Sequence, residues 1–565
     1  SDAFCEKVLD PDNDPWINEY ASVYPEQQLE YPDGGSGTVS CVKINRDEFA
    51  WEPFTFTNSE CPVIYEMLLG DFTETHDIAG AMKKLDYLQT LGVNAVELMP
   101  IQEFDGNKSW GYNPTHYFAL DKAYGTREQY KTFINECHKR GIAIIVDVVY
   151  NHSTGASPLA KIYWGPDNKT AVNNPYFNVD AKHPFNVFHD INHQNAFMQE
   201  VVKRSLVYLI EEYNVDGFRF DLSKGFTQST SGWDGQDQAR INLILDYNKA
   251  IKAADPDSYV ILEHWGQYSE ESQYVRNGMH PWKKLNSQYI TAAEGNGSSD
   301  LSGAYSWLDA TYGASGWVTF MESHDEERAF FKAKEWGNGD LKTDDQERIA
   351  RVPVNMAFLT LLDGPQMFYH FAEFGFDYSK WQNASGQWGK DDNGDAPYGK
   401  SNVSNDNYKM QPKARTETWL GEGAWRTDAF HKVGQAIQLR TRLMPQVFEG
   451  NPTKVDIGGG KSVRTIQWGS DVFVAGNFDA ISEKTVTIPE GKWYNYYEQK
   501  EQTETTVTLI PGALLILTGT PQALPEMRPF YDFSTNLEQV IMPSTPEDML
   551  PPYNVTIYTI SGQAV

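Results

Sequence analysis

Cysteine is scarce in this chain: four in 565 residues, Cys5, Cys41, Cys61 and Cys137. None stands in a CxxC or Cys/His spacing, so the common zinc-binding patterns are excluded. Four cysteines in this length neither demand nor exclude an oxidising compartment. Cys137 falls in a helical pattern and is expected to be an inert buried thiol, whereas the spacing leaves pairing among the other three open. Basic residues are also short, with 47 Lys and Arg against 77 Asp and Glu and a formal net charge of −30. That argues against nucleic acid or an anionic membrane as partner, since both need basic patches. No apolar run approaches the length of a membrane span. The opening Ser1-Asp2-Ala3-Phe4-Cys5 lacks the basic start and apolar stretch of a secretory leader, as in a cytoplasmic protein or a processed one. Tandem repeats and low-complexity tracts are missing as well.

What is abundant is aromatic surface. Phe, Trp and Tyr make up 13% of the chain, with 16 Trp and 31 Tyr. Part of this serves a large core and loop packing; the rest offers flat faces on which sugar rings stack. The length is too great for one compact core, so two to four domains are expected.

Residues 1–60 are rich in Pro, Asp, Gly and aromatics, with turn signals such as Asp10-Pro11-Asp12-Asn13-Asp14-Pro15, and read as a wrapping segment or the remnant of an upstream β domain. From there strands and helices alternate. Residues 62–68, 93–98 and 142–147 read as buried strands, and 78–91 and 127–140 as helices stopped by Gly92 and Gly141. Near-continuous apolar strands separated by helices predict a parallel sheet or barrel covered on both faces. The rhythm breaks after Asp147. Residues 152–195 are too long for a simple loop and are expected as a short inserted domain over the barrel mouth. It resumes with a helix over 196–213 and strands over 215–221, 259–263, 317–325 and 364–369. A helix over 435–442 closes a catalytic region of 61–445. Residues 446–520 carry short strands and Gly-rich turns, which predicts an all-β sandwich domain. Residues 521–565 form a tail that reads as the start of a further β module.

The informative chemistry sits at strand ends. Asp147-Val148-Val149-Tyr150-Asn151-His152, Gly217-Phe218-Arg219-Phe220-Asp221, Leu262-Glu263-His264 and Ser323-His324-Asp325 each deliver an acid there. In a parallel barrel those ends meet at one face. Strand alternation puts Arg219 and Asp221 on one side and Phe218 and Phe220 on the other. A guanidinium beside a carboxylate lowers its pKa, as a nucleophile requires. Glu263, beside His264 and Trp265, has the setting of a carboxyl that keeps its proton, the property of a general acid. Asp325 and His324 could hold ring hydroxyls, although Glu322, Glu326 and Glu327 nearby also fit a solvated acidic cluster. Asp147 fits a structural role beneath the site, and a lone His152 is more often a packing residue than a ligand. Two carboxyls flanking a bond are what glycoside hydrolysis needs.

Together, the four stretches resemble the four conserved regions of the α-amylase family, family 13 of the glycoside hydrolases. The order D-x-x-x-N-H, G-x-R-x-D, a strand-terminal Glu and H-D is kept, with the successive acids 74, 42 and 62 residues apart. Ser109-Trp110-Gly111-Tyr112-Asn113-Pro114 followed by Ala123-Tyr124-Gly125-Thr126 resembles the family's second-loop motif. The resemblance covers about residues 60 to 520 and implies a (β/α)8 TIM barrel with a short inserted domain after the third strand.

It also implies a retaining double displacement in which Asp221 attacks, Glu263 is acid and then base, and Asp325 binds the distorted ring. Arg219 would keep Asp221 ionised, Tyr112 would stack on the sugar, His152 and His324 would grip its hydroxyls, and Lys224 would touch the leaving side. The substrate implied is an α-glucan polysaccharide or oligosaccharide, cut at internal α-1,4 bonds by a monomer with no required cofactor. The alternative is a glucan transferase, branching-type enzyme or trehalose-releasing hydrolase on the same scaffold, which the Trp-Gly-Tyr-Asn-Pro loop and short insert also resemble. Asn151 matches one ligand of the family's calcium site. Gly225 stands where another ligand, a His, is usual, so the resemblance does not carry calcium over. The end of the last barrel strand, 368–375, follows the family only loosely. A polymeric substrate favours a secreted or cell-surface protein, with a cytoplasmic glycogen-acting enzyme as the alternative.

Overall fold

The computed structural model of the protein describes residues 1–19, 30–42, 48–57, 59–305, 316–415, 418–419 and 423–529. At its centre is a closed barrel of eight parallel strands. They are β1 (Val63–Met67), β2 (Ala95–Leu98), β3 (Ala143–Val148), β4 (Gly217–Phe220), β5 (Tyr259–Leu262), β6 (Met279–Lys284), β7 (Val318–Phe320) and β8 (Gln366–Tyr369). Neighbours in sequence are neighbours in space, and β8 closes onto β1 from Gln366↔Val63 to Tyr369↔Glu66.

Strand alternation sorts the side chains into two layers. Ile64, Ile145, Ile261, Trp282, Phe320 and Met367 fill the barrel interior. The opposite parity, including Val63, Val96, Val146, Phe218 and Val260, packs against the helices. The next inward positions after the apolar ones are polar. Glu66 follows Ile64, Glu97 follows Ala95, Asp147 follows Ile145, Arg219 and Asp221 follow Gly217, and Glu263 follows Ile261. The interior is dry at one end and crowded with charge at the other.

Local signals hold where they are strong. The helix Arg127–Lys139 starts with a reciprocal Thr126/Gln129 capping box. Helix Ala196–Tyr213 is capped by Asn195 and stopped by Asn214 at φ 53°. Three expectations need correction. The helix expected over 78–91 is two, Ile78–Met82 and Leu85–Leu91. The ladder tightens there, with Lys83 N–H bonding Gly80 O and Lys84 N–H bonding Ala81 O. Gly80 weakens this stretch, yet a Cβ there would lie 2.0 Å from Thr75 Oγ1. The helix expected over 435–442 runs instead over Ala424–Gln438 and continues into a wider turn, Leu439–Leu443, closed by Met444 N–H on Leu439 O at 2.9 Å. Strand β6 was not anticipated, because Pro281, Lys283 and Lys284 interrupt the apolar run that marks the other strands. All four cysteines are free thiols. Cys137 is buried, and burial pushes its pKa up, as expected of an inert thiol.

Beyond the barrel, β9 (Lys454–Asp456), β10 (Val463–Trp468), β11 (Val472–Asn477), β12 (Lys484–Thr487), β13 (Trp493–Asn495), β14 (Lys500–Gln502), β15 (Thr506–Leu509) and β16 (Leu514–Thr518) form the all-β region. Six strands make one sheet in the order β9-β10-β11-β16-β13-β14, and β12 pairs β15 alone. Phe473, Val486, Trp493, Leu509 and Leu517 fill the space between the two layers. Ile466, Trp468, Val474 and Ile516 join the main core on the barrel side. Within 152–195, His152–Ser153 pairs antiparallel with His189–Asp190, so the excursion leaves and returns at one point. From the N-terminal segment, Phe54 and Phe56 pack against the barrel interior, and Phe56 meets Tyr259 at the start of β5 with ring centroids 5.9 Å apart. Of the tail expected over 521–565 as the start of a β module, residues 521–529 carry no strand and 530–565 lie outside the described residues. Among the described residues, no helix is long and apolar enough to cross a membrane.

Arg440, aimed inward by the wide turn, ties the barrel seam. Its fully buried guanidinium donates to Thr360 O (2.8 Å), Cys61 O (2.9 Å) and Gly364 O (2.5 Å), and also to Leu362 O. These carbonyls end the helix before β8 and lead into β1 and β8. Arg440→Leu strands them unpaired in the core, at a cost of about 3–5 kcal/mol. The expected result is a fall in melting temperature of roughly 3–5 °C, measured by thermal unfolding.

Candidate active site

Three acids from adjacent strands meet at one guanidinium. Arg219 on β4 is fully buried. Its Nη1 donates to Asp147 Oδ1 at 3.0 Å and Oδ2 at 2.8 Å, and to Asp221 Oδ1 at 3.0 Å. Its Nη2 lies 3.0 Å from Glu263 Oε2. The guanidinium carbon sits 4.1 Å from the centroid of the Trp282 ring, which comes from β6. Alternation along β4 and β5 turns Arg219, Asp221 and Glu263 inward, and Phe218 and Phe220 outward into the helix layer, as expected.

Glu263 is held at both oxygens. Leu222 N–H donates to Oε2 at 2.8 Å and the Trp265 indole N–H to Oε1 at 3.0 Å. Leu222 (φ 41°) and Trp265 (φ 54°) are both left-handed. For bulky side chains this is strained backbone, of the kind that concentrates at working sites. The neighbouring His264 faces away, with Nε2 on Glu270 Oε1 at 2.8 Å and Nδ1 on Ser223 Oγ at 3.0 Å.

The loop after β7 closes the other side. Tyr112 stacks on His324 with centroids 4.9 Å apart and 24° between planes, and its hydroxyl donates to Asp147 Oδ2 at 2.7 Å. His324 Nε2 lies 3.5 Å from Asp325 Oδ2. The Asp325 side chain is about half exposed, at 49%, and projects into the open mouth. Glu322 instead pairs with Arg328 at 3.1 Å, and Glu326 pairs with Lys284 at 2.6 Å. Glu327 accepts from Ser379 Oγ and Tyr398 OH at 2.7 and 2.9 Å. The acidic run is therefore a set of anchors with Asp325 left facing the cleft.

The structure thus gathers Asp147, Arg219, Asp221, Glu263, Tyr112, His324 and Asp325. His152 stands beside them with both ring nitrogens engaged, Nε2 on Tyr112 O at 2.8 Å and Nδ1 on the Asn151 amide at 3.1 Å. In this conformation it orients the Tyr112 loop. Lys224 lies apart, with Nζ 4.2 Å from the Trp233 ring centroid. Sequence reasoning missed Glu66 and Glu97, both buried on the inward faces of β1 and β2. The signal was their parity with Ile64 and Ala95. It also missed Lys380, whose Nζ donates to Asp325 O at 2.5 Å from the loop after β8.

The electrostatics correct one expectation. Burial and the charge of Glu263 push the Asp221 carboxyl well above its usual range, and Arg219 only partly offsets them. Arg219 alone therefore does not offset burial and the charge of Glu263 at Asp221. Burial lifts Asp147 to about 6 against the pull of Arg219. His324 is raised to about 10, because Asp325 and Glu66 outweigh its burial. Burial opposes the charge of Asp325, but His324, Arg219, Lys409 and Lys380 hold it below the usual range. Burial lowers His152 to about 4, so its ring is neutral.

The position matching the family's calcium site does not have a calcium ligand set. Asn151 Oδ1 is buried without a hydrogen-bond partner. Built onto Gly225, a Cβ would stand 2.0 Å from this oxygen and 3.0 Å from His183 Nε2. His183 is already paired with Asp190 at 3.2 Å. One amide oxygen beside an imidazole is not the cage of hard oxygens that calcium takes. Among the described residues, no group of three or more His, Cys, Asp or Glu could hold a metal ion.

This arrangement agrees with comparisons to known proteins. The family model for the α-amylase catalytic domain matches residues 53–161 and 162–422. Malto-oligosyltrehalose trehalohydrolase from Saccharolobus solfataricus is 36% identical over 270 residues, covering 45% of this chain and 45% of that protein. Isoamylase SU1 from Zea mays is 34% identical over 230 residues, covering 34% of this chain and 28% of that protein. The chain thus spans less than half the length of these curated relatives. Among solved structures, pullulanase type I from Bacillus subtilis complexed with maltose superposes with a TM-score of 0.63 at 18% identity, covering 84% of this chain and 73% of that one. With its four strand-end motifs gathered at one barrel face and the family model matching most of its length, the chain belongs to the α-amylase family of glycoside hydrolases.

Proposed function

We propose that the chain hydrolyses internal α-1,4-glucosidic bonds of a starch- or glycogen-type α-glucan with retention of configuration. The observation that carries this reading is the pairing of Asp221 and Glu263 on neighbouring nitrogens of one guanidinium, each at 3.0 Å. Carboxyls held by one such group support direct attack, the short-separation arrangement of retaining enzymes.

In the first step an Asp221 oxygen bonds to the anomeric carbon while the glycosidic C–O bond breaks. The leaving oxygen takes the proton from Glu263. The step needs the proton on Glu263 and the charge on Asp221, and positive charge growing at the anomeric carbon favours the Asp221 anion. In the second step Glu263 takes a proton from water, the water oxygen bonds to the anomeric carbon, and Asp221 is released. Asp325 and the cationic His324 hold ring hydroxyls as the ring flattens. A sugar hydroxyl in place of water would give transfer instead. The names of the relatives favour one further reading, action on a different α-glucosidic bond, either the α-1,6 branch or the bond next to a trehalose end.

Three measurements test these assignments. Incubated with amylose, the chain is expected to raise reducing ends steeply and give short maltooligosaccharides. Rearranged chain lengths without that rise point to transfer, and preferential cleavage of pullulan or maltooligosyl-trehalose to the other bonds. Glu263→Gln is expected to cut amylose hydrolysis by about 10³-fold yet spare the first step with α-maltosyl fluoride, read as kcat/KM, whose leaving group needs no acid. Asp221→Asn abolishes both. Because Asp221 is raised, activity is lost as pH falls through a value above the ordinary aspartate pKa of about 3.9. Removing the Glu263 charge moves that acidic limb, read with the fluoride, to lower pH.

A further inference from the structure

Glu66 takes no part in the reaction above, yet it holds one of its residues at two points. It is fully buried on the inward face of β1. Its Oε2 accepts from the His324 backbone N–H at 3.0 Å, and its Oε1 lies 2.5 Å from His324 Nδ1. Strand β8 lies between β1 and β7, so this contact reaches across a strand to fix the loop that carries Asp325.

A carboxylate this close to Nδ1 requires a proton on Nδ1. A neutral imidazole has one ring proton, so a neutral His324 would show a bare lone pair at Nε2. Nε2 faces Asp325 Oδ2 at 3.5 Å, and two acceptors would then oppose each other. Only the doubly protonated ring satisfies both carboxylates.

We infer that Glu66 is a positioning residue that locks His324 as an imidazolium, so that an N–H rather than a lone pair faces Asp325 and the sugar hydroxyls. The inference rests on the proposed reaction for the sugar, though not for the ring's charge. The other groups around the ring divide in effect. Arg219 opposes the cation. Asp147 is turned to Arg219 and to the Tyr112 hydroxyl. Glu97 lies beside Glu66 and is itself pushed well above its usual range by burial and by Glu66. Lys380 and Lys409 act on Asp325. Tyr112 stacks on the ring at 4.9 Å with its neutral hydroxyl 3.5 Å from Nδ1, and Trp110 makes an edge contact at 5.4 Å. Glu66 and Asp325 are thus the two anions that outweigh burial and Arg219.

The test uses the full chain labelled with ¹³Cε1-histidine, with the His324 resonance assigned through His324→Gln. In the wild type, His324 is expected to remain doubly protonated at pH 8. In Glu66→Gln its titration midpoint is expected to fall by at least one pH unit. The alkaline limb of kcat/KM with α-maltosyl fluoride should fall with it, since the acid is not limiting for that substrate. A purely structural Glu66 would lower stability without moving either pH value. A neutral His324 in the wild type at pH 8, or an unchanged midpoint in Glu66→Gln, overturns the inference. A neutral wild-type ring overturns the inference whether or not the variant folds. The resonance is read without turnover, so a chain that fails on every glucan while His324 stays doubly protonated sinks the functional reading alone.

Discussion

The structure of the site depends on one buried cation. Arg219 has no exposed surface and faces carboxyl groups from β3, β4 and β5, all within 3.0 Å. A charge taken out of water at this depth is tolerable only with close, well-aligned partners. The fork of the guanidinium fixes where those partners stand, with Asp147 and Asp221 on one nitrogen and Glu263 on the next. A compact ammonium could not hold three carboxyls in a plane in this way. The face of Trp282 closes the remaining side, and through it β6 contributes to a site that otherwise draws on its neighbours.

The same region carries more acid than this cation can balance. Glu66, Glu97, Asp147, Asp221, Glu263 and Asp325 surround two cations, Arg219 and His324. They cannot all ionise in a low-dielectric interior. Glu97 has no hydrogen-bond partner at either oxygen, and burial and Glu66 push it well above its usual range, so it is a neutral acid. Burial and Glu263 push Asp221 above its usual range as well. Asp147 faces Arg219, and Glu66 and Asp325 face His324.

How much of this was legible in the sequence follows from the period of a strand. Asp221 and Arg219 share a face because they are two residues apart, and Glu263 ends an apolar run. These inferences needed only alternation and position, and the barrel followed from repeated strand–helix units. Glu66 obeys the same alternation but sits inside an apolar strand rather than at its end, so it read as part of a buried run. Strand β6 was lost to Pro281 and two lysines, which break the pattern that made its neighbours visible. The direction of the Asp221 shift was misread for a different reason. Sequence shows the nearby arginine but neither the depth of burial nor the distance to Glu263, and these two decide the sign.

The segment after β7 shows what separates a cluster of acids from a site. In sequence, Glu322, Asp325, Glu326 and Glu327 are equivalent, and a solvated acidic patch describes them as well as a binding residue does. In the fold, three of the four are consumed by anchoring. Glu322 holds Arg328 and the N–H of Ala329, Glu326 holds Lys284, and Glu327 holds the loop after β8 through Ser379 and Tyr398. Those anchors remove the freedom of the segment, and with it the entropic cost of fixing Asp325 when a ligand arrives. Asp325 is left half exposed, charged and backed by an imidazolium that is itself clamped from β1. Its role is set less by its own identity than by the partners its neighbours have found.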